Sequence, residues 1–163
     1  MMNYLDEYLK LNVTHKMNYL KNNKLVGGDD SVEKLFYNID SDLDLILNAL
    51  KVSSNKTGFK YWKDSVFIFI LSEKIKVNIC SEIYPLIAKK YSKSTTSIER
   101  AMRLCFENAL YNISKSKSNF VSEYMKDYLT FPHNSEVLCK ITELVCSYEF
   151  QSEKNKLKRI NQL

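Results

Sequence analysis

Residues 79–110, ICSEIYPLIAKKYSKSTTSIERAMRLCFENAL, decide the fold. They hold two helical patterns separated by a few polar residues. Ile79, Ile83, Leu86, Ile87 and Tyr91 recur at helical spacing and give the first pattern an apolar stripe. Ser92-Lys93-Ser94-Thr95 interrupts that stripe. Thr96, with Glu99 three positions on, reads as a capping box that opens the second helix. Two helices joined by so short a polar break form a helix-turn-helix.

Rotation by about 100° per residue sorts the second helix into two sides. Ile98, Ala101, Met102, Cys105 and Ala109 fall together, and Thr96, Arg100, Arg103 and Glu107 fall opposite. Ser97, Glu99 and Leu104 flank the polar side. The apolar side docks on the first helix, which leaves Arg100 and Arg103 pointing outward. An outward arginine can pair two donors with guanine O6 and N7, or hold a phosphate. A charged face of this kind is also what an ordinary surface helix shows, so periodicity alone leaves both readings open. Pro85, inside the first helix, predicts a local kink.

Working outward, the rest of the chain reads as helices. Asn3 to Leu11 and Thr14 to Asn23 are short candidates, and another starts at Ser31 after the Gly27-Gly28 break. Asp42 to Leu50 and Thr57 to Glu73 precede the motif; the second is apolar nearly all round over Val66 to Leu71, which suits a central helix. Phe120 to Leu129 and Ser135 to about Glu149 follow it. The expected fold is all-α: a compact helical bundle of about six helices around the helix-turn-helix, with short N-terminal helices added. No alternating strand pattern and no internal repeat is present.

Composition bounds the function. The 163 residues suffice for one domain with a real core, and no run reaches the ~18 apolar residues of a membrane helix. The N-terminus lacks a basic segment followed by an apolar run, so no secretion signal is expected. Residues 1–50 hold five lysines against eight acids; residues 51–163 hold nineteen basic residues against eleven acids. A basic body suits a polyanion. Cys80, Cys105, Cys139 and Cys146 show no paired spacing, and His15 and His133 are the only histidines, so no metal site is expected. The cysteines, Cys139 and Cys146 in particular, read as small buried apolar residues in a reducing cytoplasm. No nucleophile–base pair and no glycine-rich phosphate loop is present, so neither catalysis nor a cofactor is expected.

Four blocks in order then carry a resemblance. Tyr84-Pro85-Leu86-Ile87-Ala88-Lys89-Lys90-Tyr91 followed by Ile98-Glu99-Arg100-Ala101-Met102-Arg103 resembles the DNA-binding effector domain of the sporulation-initiation master response regulator of endospore-forming bacteria, the stage 0 sporulation protein A family. Lys56-Thr57-Gly58-Phe59-Lys60-Tyr61-Trp62 resembles the segment that opens that domain's second helix. Pro132-His133-Asn134-Ser135-Glu136 resembles the entry to its last helix. The likeness covers about Ser41 to Phe150. It implies an effector domain over residues 41–150, preceded by a short helical extension (1–40) and followed by a basic tail (151–163).

The resemblance implies double-stranded DNA as the partner, with Glu99, Arg100 and Arg103 reading bases. Thr96, Ser97 and Leu104 complete the expected DNA-facing set, and Lys89, Lys90, Lys93, Lys115 and Lys117 are expected on phosphates. Two positions depart from the family: Ser97 stands where it usually has a basic residue, and Leu104 where it has a histidine. Leu104 could touch a thymine methyl, or mark a surface for protein contact. The family regulator also carries a phosphorylatable receiver domain; the 40 residues before the match show no strand–helix alternation, so none is expected here. Two functions therefore stand side by side. One is a sequence-specific DNA-binding transcription regulator, cytoplasmic and nucleoid-associated, without phosphorylation control by its own receiver. The other is an interaction protein that pairs with the full-length sporulation regulator and antagonises it. A second copy of this chain is the other protein partner left open.

Overall fold

The computed structural model describes residues 32–71, 78–130 and 132–161. The helices expected before Ser31 lie outside the described residues. Every regular element among the described residues is helical, as the all-α expectation requires.

Helix α1 (Val32–Ala49) sends Leu43, Ile46 and Leu47 into the core, and Leu50 follows them from the turn after it, each with no more than 1% of its surface exposed. It is continuous where the sequence suggests a start at Asp42. The acids Asp40, Asp42 and Asp44 look like a helix N-terminus, but distant cations meet them. Lys63 reaches both Asp40 and Asp44 at 2.8 Å, and Lys154 reaches Asp42 at 3.4 Å.

Helix α2 (Thr57–Leu71) is the central one. Phe59, Trp62, Val66 and Ile70 are buried along it, with Tyr61, Phe67 and Ile68 buried on other sides. That near-complete burial matches its apolar composition.

The helix-turn-helix follows. Asn78 caps a π-helical turn (Ile79–Ile83), its side-chain oxygen accepting from the amides of Cys80 and Ser81. Helix α3 (Tyr84–Tyr91) continues from it, with Pro85 in its first turn. The irregularity expected at Pro85 is this widened turn: Tyr84 N–H bonds back to the Ile79 carbonyl, five residues earlier. A wider turn accommodates a ring that has no N–H to donate and that crowds the preceding turn.

α3 ends at Ser92, which adopts the left-handed conformation with φ 52°. Lys93 N–H then bonds to the Ala88 carbonyl at 2.9 Å, closing a six-residue C-terminal loop of the Schellman kind. Ser94 caps helix α4 (Thr95–Phe106), its hydroxyl accepting from Ser97 N–H. The cap expected at Thr96 therefore falls two residues earlier, and Glu99 closes no box with it, its carboxylate lying by Arg103 instead. Four successive hydroxyl residues, 94–97, could each serve, and the turn geometry selects the first.

Helix α4 stops at Phe106, and a short helix α5 (Ala109–Ser114) carries Ala109 separately. Helices α6 (Phe120–Thr130) and α7 (Asn134–Val145) complete the bundle. The last pattern does not run on to Glu149. It breaks at Cys146, and Ser147 caps helix α8 (Tyr148–Asn161) by accepting from Phe150 N–H at 3.1 Å. Residues 151–161 are thus helix, docked on α1 and α7 through buried Phe150 and Leu157.

That break also corrects the cysteine expectation. Cys146 lies at the helix end rather than on the inner face and is exposed, Cys139 is half-buried, and Cys80 is exposed. Cys105 is buried, and burial pushes its thiol up to about 11.

Candidate nucleic-acid interface

Helix α4 is held from three sides, and the holding residues explain the blocks seen in the sequence. Gly58, in the first turn of α2, lies against Ala101. A Cβ at Gly58 would come within 2.6 Å of the Ala101 carbonyl carbon and the Cys105 sulfur. Only glycine permits that approach. One turn further along α2, the Trp62 indole N–H donates to the Met102 carbonyl at 2.9 Å, and its ring meets Phe106 edge-on at 5.0 Å. Just before α2, the Lys56 ammonium donates to the Leu104 carbonyl at 2.8 Å, satisfying an acceptor in the last turn of α4.

From the other side comes Asn134, the first residue of α7. Its amide nitrogen donates to the Tyr84 hydroxyl at 2.8 Å and to the Glu99 carbonyl at 3.3 Å. One side chain thereby ties α7 to both helices of the motif. In the sequence, Gly58, Trp62 and Asn134 stand only as members of the resembling blocks, because the partners that define these roles are distant along the chain. A glycine one residue into a helix was the signal available for the close contact.

Beneath α4, Ile98, Met102, Cys105 and Phe106 are buried. Ile98, Met102 and Cys105 lie on the apolar side that rotation predicts; Phe106 joins them beyond that set, Ala101 is half-buried, and Ala109 belongs to α5. The outer side carries Thr96, Ser97, Arg100, Arg103, Leu104 and Glu107, all exposed, with Glu99 half-buried beside them.

Within this set the side chains differ in their engagement. Arg100 has no side-chain partner among the described residues. Arg103 lies 3.4 Å from the Glu99 carboxylate, a pair with both members in water and so easily exchanged for another anion. Ser97 shares a 2.8 Å hydroxyl contact with Ser94. Leu104 has 37% of its surface exposed.

The expected phosphate-facing lysines also differ. Lys89, in the last turn of α3, and Lys93, in the turn, are exposed on either side of the chain reversal into α4. Lys90 is drawn to Asp64 of α2, whose two oxygens lie at 2.9 and 3.0 Å. Asp64 also accepts from the Tyr91 hydroxyl at 2.7 Å, and burial, then this carboxylate, pushes the Tyr91 hydroxyl pKa upward. Lys90 is thus part of the joint between α2 and α3. Lys115 lies over the Tyr111 ring at 4.1 Å, and Lys117 is exposed in the loop between α5 and α6.

The arrangement presents a rigidly backed helix face with two arginines one turn apart, flanked by Glu99 and Glu107. Such a face can enter a major groove while neighbouring ammonium groups meet phosphates.

The family model described as sporulation initiation factor Spo0A C terminal matches residues 43–145, from within α1 to the last residue of α7. That is well over half of the chain, and α8 lies beyond it. The family is a DNA-binding, transcription-regulating domain of a sporulation factor and not an enzyme family. No solved structure matches the chain. Among the described residues no helix is long and apolar enough to cross a membrane.

Proposed function

The chain belongs to the sporulation initiation factor Spo0A C-terminal family, and we propose that it regulates transcription by reading a specific duplex sequence through α4. Arg100 and Arg103 read base edges, and Glu99 leaves Arg103 to accept from a base amino group. Thr96 and Ser97 meet the backbone or base edges at the start of the helix. Lys89, Lys93, Lys115 and Lys117 meet phosphates. Lys90 reaches a phosphate only by releasing Asp64. The action takes place at the nucleoid, in the cytoplasm.

The observation that carries this reading is Arg100. It stands exposed and without a side-chain partner among the described residues, on a helix whose backbone is pinned at Glu99, Ala101, Met102 and Leu104. A helix fixed by four neighbours while its arginine remains free suits base reading, where the reader's backbone position sets the register.

A second reading is that the chain pairs with a full-length sporulation regulator and antagonises it. Ser97 favours this: its hydroxyl is engaged with Ser94 where the family usually offers a basic side chain.

Selection of duplexes from a random library by the purified chain, without a phosphodonor, separates the two. Enrichment of one short sequence, with affinity falling by orders of magnitude between ~50 and ~200 mM salt, supports direct reading. No enrichment, together with complex formation with the purified full-length regulator, supports the second.

A further inference from the structure

We infer that Leu104 reads the 5-methyl group of a thymine within two base steps of the base that Arg100 reads. The inference rests on α4 being the DNA-facing helix and adds a specificity determinant to it.

Leu104 breaks the pattern of its helix. Ile98, Met102 and Phe106, the other large apolar residues of α4, are at most 2% exposed, whereas Leu104 is 37% exposed. It follows Arg100 by four residues, so it lies one turn further along the same outer side of the helix. On a helix that faces DNA, an apolar side chain one turn from the Arg100 guanidinium is matched by a surface that is anionic at large and apolar at one point. The major groove offers that combination: phosphates along its rims, and on its floor the thymine methyl as the protruding apolar group.

The geometry also sets the spacing. Four residues of helix advance about 6 Å along the axis, and stacked bases repeat at about 3.4 Å per step. Leu104 and Arg100 therefore lie over bases no more than two steps apart on a helix aligned with the groove. The Leu104 carbonyl is held by the Lys56 ammonium at 2.8 Å, and the Met102 carbonyl by Trp62, which fixes where the leucine side chain starts. A fixed apolar contact discriminates; a drifting one only adds affinity.

The test uses the full chain and the duplex it enriches from a random library. Each thymine in turn is replaced by deoxyuridine, which removes the methyl and nothing else. Binding is measured for the wild-type chain, Leu104→Ala and Arg100→Ala. One thymine, within two steps of the base to which Arg100→Ala becomes indifferent, is expected to lose about fourfold in affinity on replacement by uracil. Leu104→Ala is expected to lose the same factor on the thymine duplex and to be blind to that replacement, with an unchanged melting temperature. Equal uracil losses in both proteins, or no thymine in that window, would overturn the inference while leaving DNA reading by α4 intact. Failure to enrich any duplex would overturn both.

Discussion

Gly58 and Ala101 are in backbone contact: a single methyl group added at Gly58 would lie 2.6 Å from the Ala101 carbonyl carbon, and nearer still to its oxygen. The first turn of α2 is thus the floor on which α4 rests. Gly58→Ala forces the two helices apart, because a backbone carbonyl cannot rotate away as a long side chain can. Overpacking of this kind costs ~1–3 kcal/mol or more, against a gain of up to about 1 kcal/mol in helix propensity. Because the obstruction is backbone, the cost falls at the upper end, and denaturant unfolding should show a net loss of about 2 kcal/mol, with weaker DNA binding. A variant as stable as the parent would mean that α4 does not rest on α2 in this way.

Ser92 turns the chain between α3 and α4 with φ 52°, where a side chain is strained. Ser92→Gly removes that strain and leaves the Lys93 N–H to Ala88 carbonyl bond in place. Stability is expected to rise by about 0.5–1 kcal/mol, since relief of strain outweighs glycine's extra freedom in the unfolded chain. Affinity for DNA should not change. A lower melting temperature would show that Ser92 contributes something other than a turn.

Asp42 is only 4% exposed, and it holds α8 through Gln151 at 3.0 Å and Lys154 at 3.4 Å. Asp42→Ala removes both attachments, while Lys154 can turn to water, so a cost of about 1–2 kcal/mol is expected. Hydrogen exchange should quicken in residues 148–161 and stay slow in residues 98–106. Uniform quickening along the chain would mean that α8 is not a separable attachment.

Much of this architecture was legible locally. The i, i+3, i+4, i+7 recurrence of Leu43, Ile46, Leu47 and Leu50 is a core stripe in the sequence and in the fold. The two sides of α4 follow from rotation alone. What was not legible depends on distant partners or on equivalent local choices. Asp40, Asp42 and Asp44 sit in the middle of a helix because Lys63 and Lys154 meet them from α2 and α8. The α4 cap falls on Ser94 rather than Thr96 because the Schellman loop at Ser92 fixes where the chain re-enters a helix. The break at Cys146 rests on Ser147 as a cap, a signal hidden inside an apparently continuous pattern. At the interface, position and charge of Arg100 and Arg103 were readable, whereas the prior engagement of Lys90 with Asp64 and of Ser97 with Ser94 was not.

Cys105 links stability to alkaline pH. Burial raises its thiol from the ordinary 9.0 to about 11. The neutral thiol is shared by folded and unfolded chains below pH 9, so its contribution is complete there. Above that, the unfolded chain ionises first and stability falls as pH rises towards 11. The melting temperature of the parent should therefore drop more steeply between pH 9 and 11 than that of Cys105→Ala, in which the tyrosines still titrate. A constant gap between the two curves would contradict the raised thiol.

The central claim is that α4 reads DNA through Arg100. The most direct measurement is the affinity of the wild-type chain and of Arg100→Ala for the duplex the wild type enriches, at one stated salt concentration, with melting temperatures taken in parallel. Loss of a base-reading arginine contributes ~1–3 kcal/mol of discrimination. The variant should bind about 5- to 150-fold more weakly, lose its preference at one base pair, and melt at the wild-type temperature. Unchanged affinity and preference in a fully folded variant would contradict the account.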